Sequence, residues 1–298
     1  MSPFDDFRAF LADLPGPDEG ARTRMGERTP RPDAPDAALG RLAEVAVWLA
    51  GWSGRTPPQV TRPVLALYAG GHAAEEEGAG RARRRLEVLA AGGSPVNAMA
   101  QRLGAGLDAF DLAVDRPVRD MAVEAAMSVR ECAATLAFGM EALAKSPDLL
   151  LVGEAGGGGD ASAQALAAAF FGGEPGGPAG DAVARVREEG VTDPFELLRQ
   201  LGGRETAAMT GAILAARVQR TPVILDGPEA AAAAAVLHVA RPGALDHCLA
   251  AHAATPAHAA LLAELGLVPL LTLDIRLGEG VGAVSALSLV QLACAAVA

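Results

Sequence analysis

Residues 149–160 read Leu149-Leu150-Leu151-Val152-Gly153-Glu154-Ala155-Gly156-Gly157-Gly158-Gly159-Asp160 and run straight into an Ala-rich segment. A short apolar run closed by glycines has the length of a buried strand, and the Ala-rich segment over 161–171 has the composition of a helix. Strand, glycine turn and helix in that order make the repeating unit of a parallel sheet covered on both faces. A glycine-rich turn before a helix also offers backbone N–H groups to a phosphate. The pattern is not a Walker loop, since no lysine follows, and it is not the dinucleotide fingerprint. A flexible linker is the plain alternative, and Asp160 opposes a phosphate unless it caps the helix or faces away.

The same alternation recurs on either side. Val64-Leu65-Ala66-Leu67-Tyr68-Ala69 is a second apolar strand, ending in Gly70-Gly71-His72. Further strands are expected over 109–114 and 223–225, with a weaker one over 245–251. Helical patterns cover 38–51, 84–91, 95–104, 119–145, 161–171, 194–218, 228–240 and 259–265. The fold class is therefore α/β, with a Rossmann-like, mostly parallel sheet flanked by helices. In such sheets ligands bind beyond the carboxyl ends of the strands, which singles out the loops after Ala69, Val152 and Leu225. Residues 15–37, rich in Pro, Gly, Asp and Arg, read as an extended, poorly packed arm.

The chain has 298 residues, enough to bury a large core, and 51% are hydrophobic. No uninterrupted apolar run is long enough to cross a bilayer. The opening Met1-Ser2-Pro3-Phe4-Asp5-Asp6 has neither a basic n-region nor an apolar h-region, so a cytoplasmic protein is expected. Cys132, Cys248 and Cys294 are few, odd in number and far apart, which suits reduced thiols better than a disulfide frame or a zinc site. A net charge of −11 and a pI near 5.0 argue against a nucleic-acid surface. The one basic cluster, Arg81 with Arg83-Arg84-Arg85, follows Glu75-Glu76-Glu77 and reads as a solvated helix face.

Near the C-terminus, Arg276-Leu277-Gly278-Glu279-Gly280-Val281-Gly282-Ala283 places a lone carboxylate among glycines, between the apolar stretches 267–273 and 283–298. Gly278 and Gly280 permit φ > 0 and close approach of a ligand. Dry flanks suit a carboxylate that acts as general base near neutrality. The alternative is a helix N-terminus where Glu279 complements the dipole. His258, in the loop His252-Ala253-Ala254-Thr255-Pro256-Ala257-His258, reads as a histidine that structures its loop, with a ligand contact as the alternative.

Taken in order, these segments resemble the nicotinate-nucleotide–dimethylbenzimidazole phosphoribosyltransferases from about Leu39 to Ala298. The resemblance rests on Gly40-Arg41-Leu42, Ala69 to His72, Gly92-Gly93 with Asn97, and Gly153-Glu154-x-Gly156-x-Gly158. It continues through Asp193-Pro194, Gly202-Gly203-x-Glu205, Pro222-Val223-x-Leu225-Asp226-Gly227, and most specifically Arg276 to Ala283. It implies a sheet domain over 59–265 and a smaller helical domain built from residues 1–58 and 266–298. It also implies a homodimer, small-molecule substrates (nicotinate mononucleotide and a benzimidazole base), and no metal or cofactor. No nucleic acid or membrane partner is expected. Glu279 matches the family's general base. Glu154, Gly156, Gly158, Asp226, Gly227, Gly278 and Gly280 match substrate-binding positions.

The departures are specific. The family's loop continues Met-Gly-Ile-Gly-Asn-Thr-Thr where this chain has Ala155 to Ala161, so two hydroxyl donors are lost and the Asp160 charge is gained. The phosphate-binding lysine before the Asp-Pro helix is absent, leaving Arg185 and Arg187 as substitutes. The acidic residue before the first histidine is Gly71, and Ala253-Ala254-Thr255 replaces the later serine. Each lost phosphate contact is worth roughly 1.5–3 kcal/mol. The alternative to an active transferase is thus a diverged paralogue that binds a ligand or a partner subunit without turnover.

Overall fold

The structure, a computed structural model, describes residues 2–29, 39–73, 78–156 and 158–298. Three helices open the chain: α1 (Asp5–Ala12), α2 (Glu19–Arg28) and α3 (Arg41–Ser53). Then come β1 (Pro63–Ala69), α4 (Gly78–Ala90), α5 (Pro95–Arg102), β2 (Gly106–Asp111), α6 (Val129–Gly139) with a 3₁₀ turn Met140–Leu143, and β3 (Leu149–Glu154). The second half holds α7 (Asp160–Phe171), α8 (Gly177–Glu188), α9 (Pro194–Leu201), α10 (Arg204–Val218), β4 (Val223–Leu225), α11 (Gly227–Ala240), β5 (Cys248–Ala250), α12 (Pro256–Glu264) and α13 (Val281–Ala296).

The five strands lie in the order β2-β1-β3-β4-β5, every neighbouring pair parallel. Every residue of β1, β3 and β4 is buried, which is why they read as continuous apolar runs. Their side chains alternate between two cores. Leu65, Leu67, Leu149, Leu151 and Ile224 face α2, α3, α5 and α13; Ala66, Tyr68, Leu150, Val152 and Val223 face α6, α7, α10 and α11. α1 joins the second layer, stacking Phe4 on Phe195 at 5.7 Å. The strand order switches direction between β1 and β3, so the crevice for a ligand opens above the carboxyl ends of those two strands.

The C-terminal apolar stretch forms α13, whose Val284, Leu287 and Val290 are fully buried in the layer that also holds β1, β3 and α3, at roughly 1.5–3 kcal/mol each. Burial within its own chain explains most of its hydrophobicity; Leu292 stays 58% exposed.

Several boundaries differ from the sequence expectations. The arm over 15–37 contains α2, capped by Asp18 Oδ1 on the Ala21 N–H at 2.8 Å and anchored by buried Ala21 and Met25. Residues 30–37 of the arm, residue 38 of the expected helix 38–51, the run Glu75-Glu76-Glu77 and Gly157 of the glycine loop lie outside the described residues. The pattern over 119–145 becomes helix only at 129, where Ser128 and Glu131 cap each other's backbone. The 194–218 pattern is two helices, because the backbone turns extended at Gly202 and Gly203 between them. The strand expected over 109–114 lies three residues earlier, in register with β1 from Val64 opposite Gly106. α1 and α8 had no counterpart in the periodicity.

Candidate active site

The loop into α13 holds three successive left-handed residues: Gly278, Glu279 and Gly280 have φ of 71°, 57° and 77°. For the glutamate such a conformation costs roughly 1–3 kcal/mol and persists only where its surroundings impose it. Here they do. The Glu279 N–H donates to the carbonyl of Glu154 at the end of β3 (3.2 Å). Ser94 Oγ, just before α5, donates to Glu279 Oε2 at 2.5 Å. Arg85 Nε, on α4, stands 3.6 Å from Oε1. The carboxylate is thus 7% exposed and oriented from two helices. The start of α13 is fixed from the other side by Asp226, at the end of β4, which accepts the Ala283 N–H at 2.8 Å and lies 3.3 Å from His252 Nε2.

The remaining sequence-derived positions gather at the same end of the sheet. Glu154 is 9% exposed, and its Oε1 accepts the Gly156 N–H at 2.7 Å. A side chain at Gly156 would lie 2.8 Å from that oxygen and 2.9 Å from the Gly70 carbonyl. Gly158 has φ 135° and Gly227, opening α11, φ 86°. Asp226 is 2% exposed and turned inward to α13 and His252. Gly278 faces open space, whereas Gly280 abuts Leu65, whose Cδ1 would lie 2.6 Å from an added Cβ.

Two further buried acids border this region and were not singled out as site residues from sequence. Glu205, at the start of α10, pairs with His72 Nε2 at 2.8 Å; its Oε2 has no hydrogen-bond partner among the described residues. Burial alone would raise its pKa, but the charge and hydrogen bond of His72 outweigh that and hold the carboxyl below the usual range. Glu229, on α11, goes the other way. Burial, then the neighbouring Glu154 and Asp160, push it well above the ordinary carboxylate value.

A cavity of about 540 Å3 opens beside the glycine loop. Asp160 and Phe171 of α7, the turn at Gly172 and Gly173, Pro228 and His258 are among its walls. A larger cavity of about 700 Å3, beside Trp48, Trp52 and Asp246, lies at the amino end of β5, opposite the strand ends that carry the acids. The first is the nearer of the two to those strand ends, through Asp160 and Pro228, although Glu279, Glu154, Asp226 and Glu205 are not among its walls. Of the two candidate replacements for lysine, Arg185 is engaged by Gln200 Oε1 (2.8 Å), Glu189 and the Met121 carbonyl. Arg187 reaches the carbonyls of Ala168 (3.3 Å) and Gly173 (3.1 Å), under the turn that lines the cavity.

The basic cluster is only partly a solvated face. Arg83 pairs with exposed Asp115, but Arg85 turns toward Glu279. Neither Arg85 nor Ser94 announces itself in sequence, although Ser94 lies inside the Gly92-Gly93 to Asn97 segment, where its own N–H is capped by Asn97 Oδ1 at 3.1 Å. Among the described residues no group of three or more His, Cys, Asp or Glu side chains is arranged to hold a metal ion, and no helix is long and apolar enough to cross a membrane.

A family profile described as phosphoribosyltransferase matches residues 14–183 and 179–298. Among curated relatives, the nicotinate-nucleotide–dimethylbenzimidazole phosphoribosyltransferase of Rhizobium etli (strain CIAT 652) is 47% identical over 316 aligned residues, spanning 98% of this chain and 93% of that protein. The protein of the same name from Sinorhizobium medicae (strain WSM419) is 46% identical with the same coverage. Among solved structures, the crystal structure of the enzyme of that name from Thermus thermophilus superposes with a TM-score of 0.85 at 30% identity, covering 94% of this chain and 96% of the other.

Proposed function

The chain belongs to the nicotinate-nucleotide–dimethylbenzimidazole phosphoribosyltransferase family, and we propose that it moves the phosphoribosyl group of nicotinate mononucleotide onto a nitrogen of 5,6-dimethylbenzimidazole or a related base. The products are nicotinate and α-ribazole 5′-phosphate, the nucleotide of the cobalamin lower ligand. Identity near 47% over almost the whole chain supports an active transferase over a silent paralogue.

The observation that carries this reading is the buried Glu279 carboxylate, held in a strained backbone by Ser94, Arg85 and the Glu154 carbonyl. A neutral benzimidazole is a poor nucleophile until its N–H proton leaves. Glu279 takes that proton, the opposite ring nitrogen forms a bond to C1′, and the bond from C1′ to the pyridinium nitrogen breaks. Its electron pair stays on the pyridine ring, which departs as nicotinate. Because departure neutralises a cation, the leaving group needs no acid. General-base help of this kind is worth roughly 10²–10⁴ in rate. The hydroxyl of Ser94 orients the carboxylate, and the fixed loop spares reorganisation during the reaction.

The nucleotide end of the donor belongs at Glu154 and the loop 153–160. Backbone N–H groups at the start of α7 face the phosphate and Asp160 weakens the site, while Arg187, bonded to the carbonyls of Ala168 and Gly173 at the other end of α7, does not reach it. In that reading residues 1–58 and 266–298 form the smaller helical part beside the sheet domain 59–265; α2, α3 and α13 pack together, in one apolar cluster with Leu65, Leu67, Leu149 and Leu151 of the sheet, while α1 packs in the opposite layer. A cytoplasmic homodimer completes the reading. Incubating the purified protein with nicotinate mononucleotide and dimethylbenzimidazole and following α-ribazole 5′-phosphate by mass spectrometry tests it.

A further inference from the structure

His258 stands in the wall of the 540 Å3 cavity, in the first turn of α12. The backbone N–H of Ala254 donates to its Nδ1 at 3.1 Å. A ring nitrogen that accepts a hydrogen bond carries no proton, so the neutral ring bears its proton on Nε2. The ring is neutral at physiological pH, since burial and then the nearby His252 bring its pKa down to about 4. His252 meets it edge-on with ring centroids 6.0 Å apart. The backbone N–H of His258 itself is taken by Thr255 Oγ1 at 3.1 Å, which fixes the turn on which the ring sits. No hydrogen bond to Nε2 is found among the described residues, and His258 is one of the residues that wall the cavity.

A donor whose tautomer is fixed by its own loop, on a residue that walls a cavity reaching from the carboxyl end of the sheet along α7 and α12, is a binding group awaiting an acceptor. The other polar side chains of that wall include Asp160, Gln164, Glu174 and Glu264, three carboxylates and an amide. Carboxylates accept hydrogen bonds and do not donate them, so none of the three replaces this N–H.

We propose that His258 is a substrate-binding residue of the donor site, its Nε2–H donating to an anionic oxygen of the nucleotide, either the carboxylate on the pyridine ring or the 5′-phosphate. The inference rests on the transferase reading given above. It assigns the histidine two separable jobs, one per ring nitrogen: Nδ1 holds the loop, and Nε2 holds the ligand.

Two substitutions separate them. In His258→Asn the amide oxygen reaches the place of Nδ1 and keeps the Ala254 contact, while nothing reaches the place of Nε2. In His258→Gln the longer amide reaches the place of Nε2 and the loop contact is lost. The Asn variant is expected to raise the Kd and KM for nicotinate mononucleotide about tenfold or more, as for loss of a hydrogen bond to a charged group, with its Tm and the KM for dimethylbenzimidazole unchanged. The Gln variant is expected to keep donor affinity within about threefold of the unaltered protein at a lower Tm. Nicotinamide mononucleotide, which lacks the carboxylate, and nicotinate riboside, which lacks the phosphate, identify the oxygen: the analogue missing the bonded group binds the unaltered protein and the Asn variant equally. If the unaltered protein binds and consumes the donor and the Asn variant matches it, the inference is wrong and the transferase reading stands. If both variants lose affinity only in proportion to lost Tm, His258 is structural and the inference is again wrong. If the unaltered protein neither binds nor consumes the donor, the transferase reading fails and takes the inference with it.

Discussion

Replacing Gly280 with Ala tests whether the catalytic loop is wedged against the sheet. Gly280 has φ 77°, a conformation that costs an L-residue roughly 1–2 kcal/mol. The new methyl group would also lie 2.6 Å from Leu65 Cδ1 and 2.8 Å from its Cδ2. Leu65 is fully buried in the centre of β1, so the neighbour has little room to yield, and overpacking of that kind adds roughly 1–3 kcal/mol. The sum is a loss of about 2–5 kcal/mol. Gly278→Ala is the matched control: its φ is 71°, and nothing lies within 4 Å of an added Cβ. It should lose only the conformational part, about 1–2 kcal/mol. Urea unfolding of both variants beside the unaltered protein measures the difference directly. Gly280→Ala should also slow turnover, because relief of the clash displaces Glu279 from Ser94. Equal losses in the two variants would refute the claim that β1 sets the position of the base.

Asp160→Thr removes an exposed carboxylate from the first turn of α7 and restores a donor, so calorimetry should show nicotinate mononucleotide binding tighter by roughly 1 kcal/mol; equal or weaker binding would mean that the loop does not hold the phosphate. Acid stability should follow two buried neutral histidines, His247 with a pKa near 3 and His258 near 4, both lowered chiefly by burial from 6.5. Their contribution is complete above pH 6.5 and is lost as pH falls toward 4, at about 2.7 kcal/mol per pH unit for two protons. Glu229, raised in the fold by burial, acts in the opposite sense above its ordinary value of 4.5 and reduces that slope; a urea midpoint unchanged between pH 7 and 5 would contradict this. Light scattering at micromolar concentration should return about twice 30.1 kDa, and a monomer mass would remove the homodimer.

The parts of the fold most legible in sequence were those where one requirement dominates. β1, β3 and β4 are buried on both faces and so are written as unbroken apolar runs closed by glycine or aspartate. β2 lies at the edge with half its residues exposed, so its apolar signal is weak and its start is set by register with β1 instead. α2 has only Ala21 and Met25 to bury, and its existence depends on the Asp18 cap and on packing against α3. The Ser128-x-x-Glu131 capping box was a readable signal that α6 begins at 129. In the site, Glu279 was conspicuous because glycines surround it. Ser94, at a sequence separation of 185 residues, reaches it only through the fold. Arg85 was hidden in a run of arginines whose Arg83 does face solvent, and a sequence does not tell which of four neighbouring guanidinium groups turns inward.

The most direct measurement compares the unaltered protein with Glu279→Gln in single-turnover and steady-state formation of α-ribazole 5′-phosphate from nicotinate mononucleotide and dimethylbenzimidazole. The unaltered protein should form product. The variant should lose about 10²–10⁴ in kcat while its Tm and nicotinate mononucleotide affinity stay the same, since the amide keeps the shape of the side chain and can still accept from Ser94. A variant that turns over at the unaltered rate, or an unaltered protein that forms no product, would contradict the assignment of Glu279 as the base of this transfer.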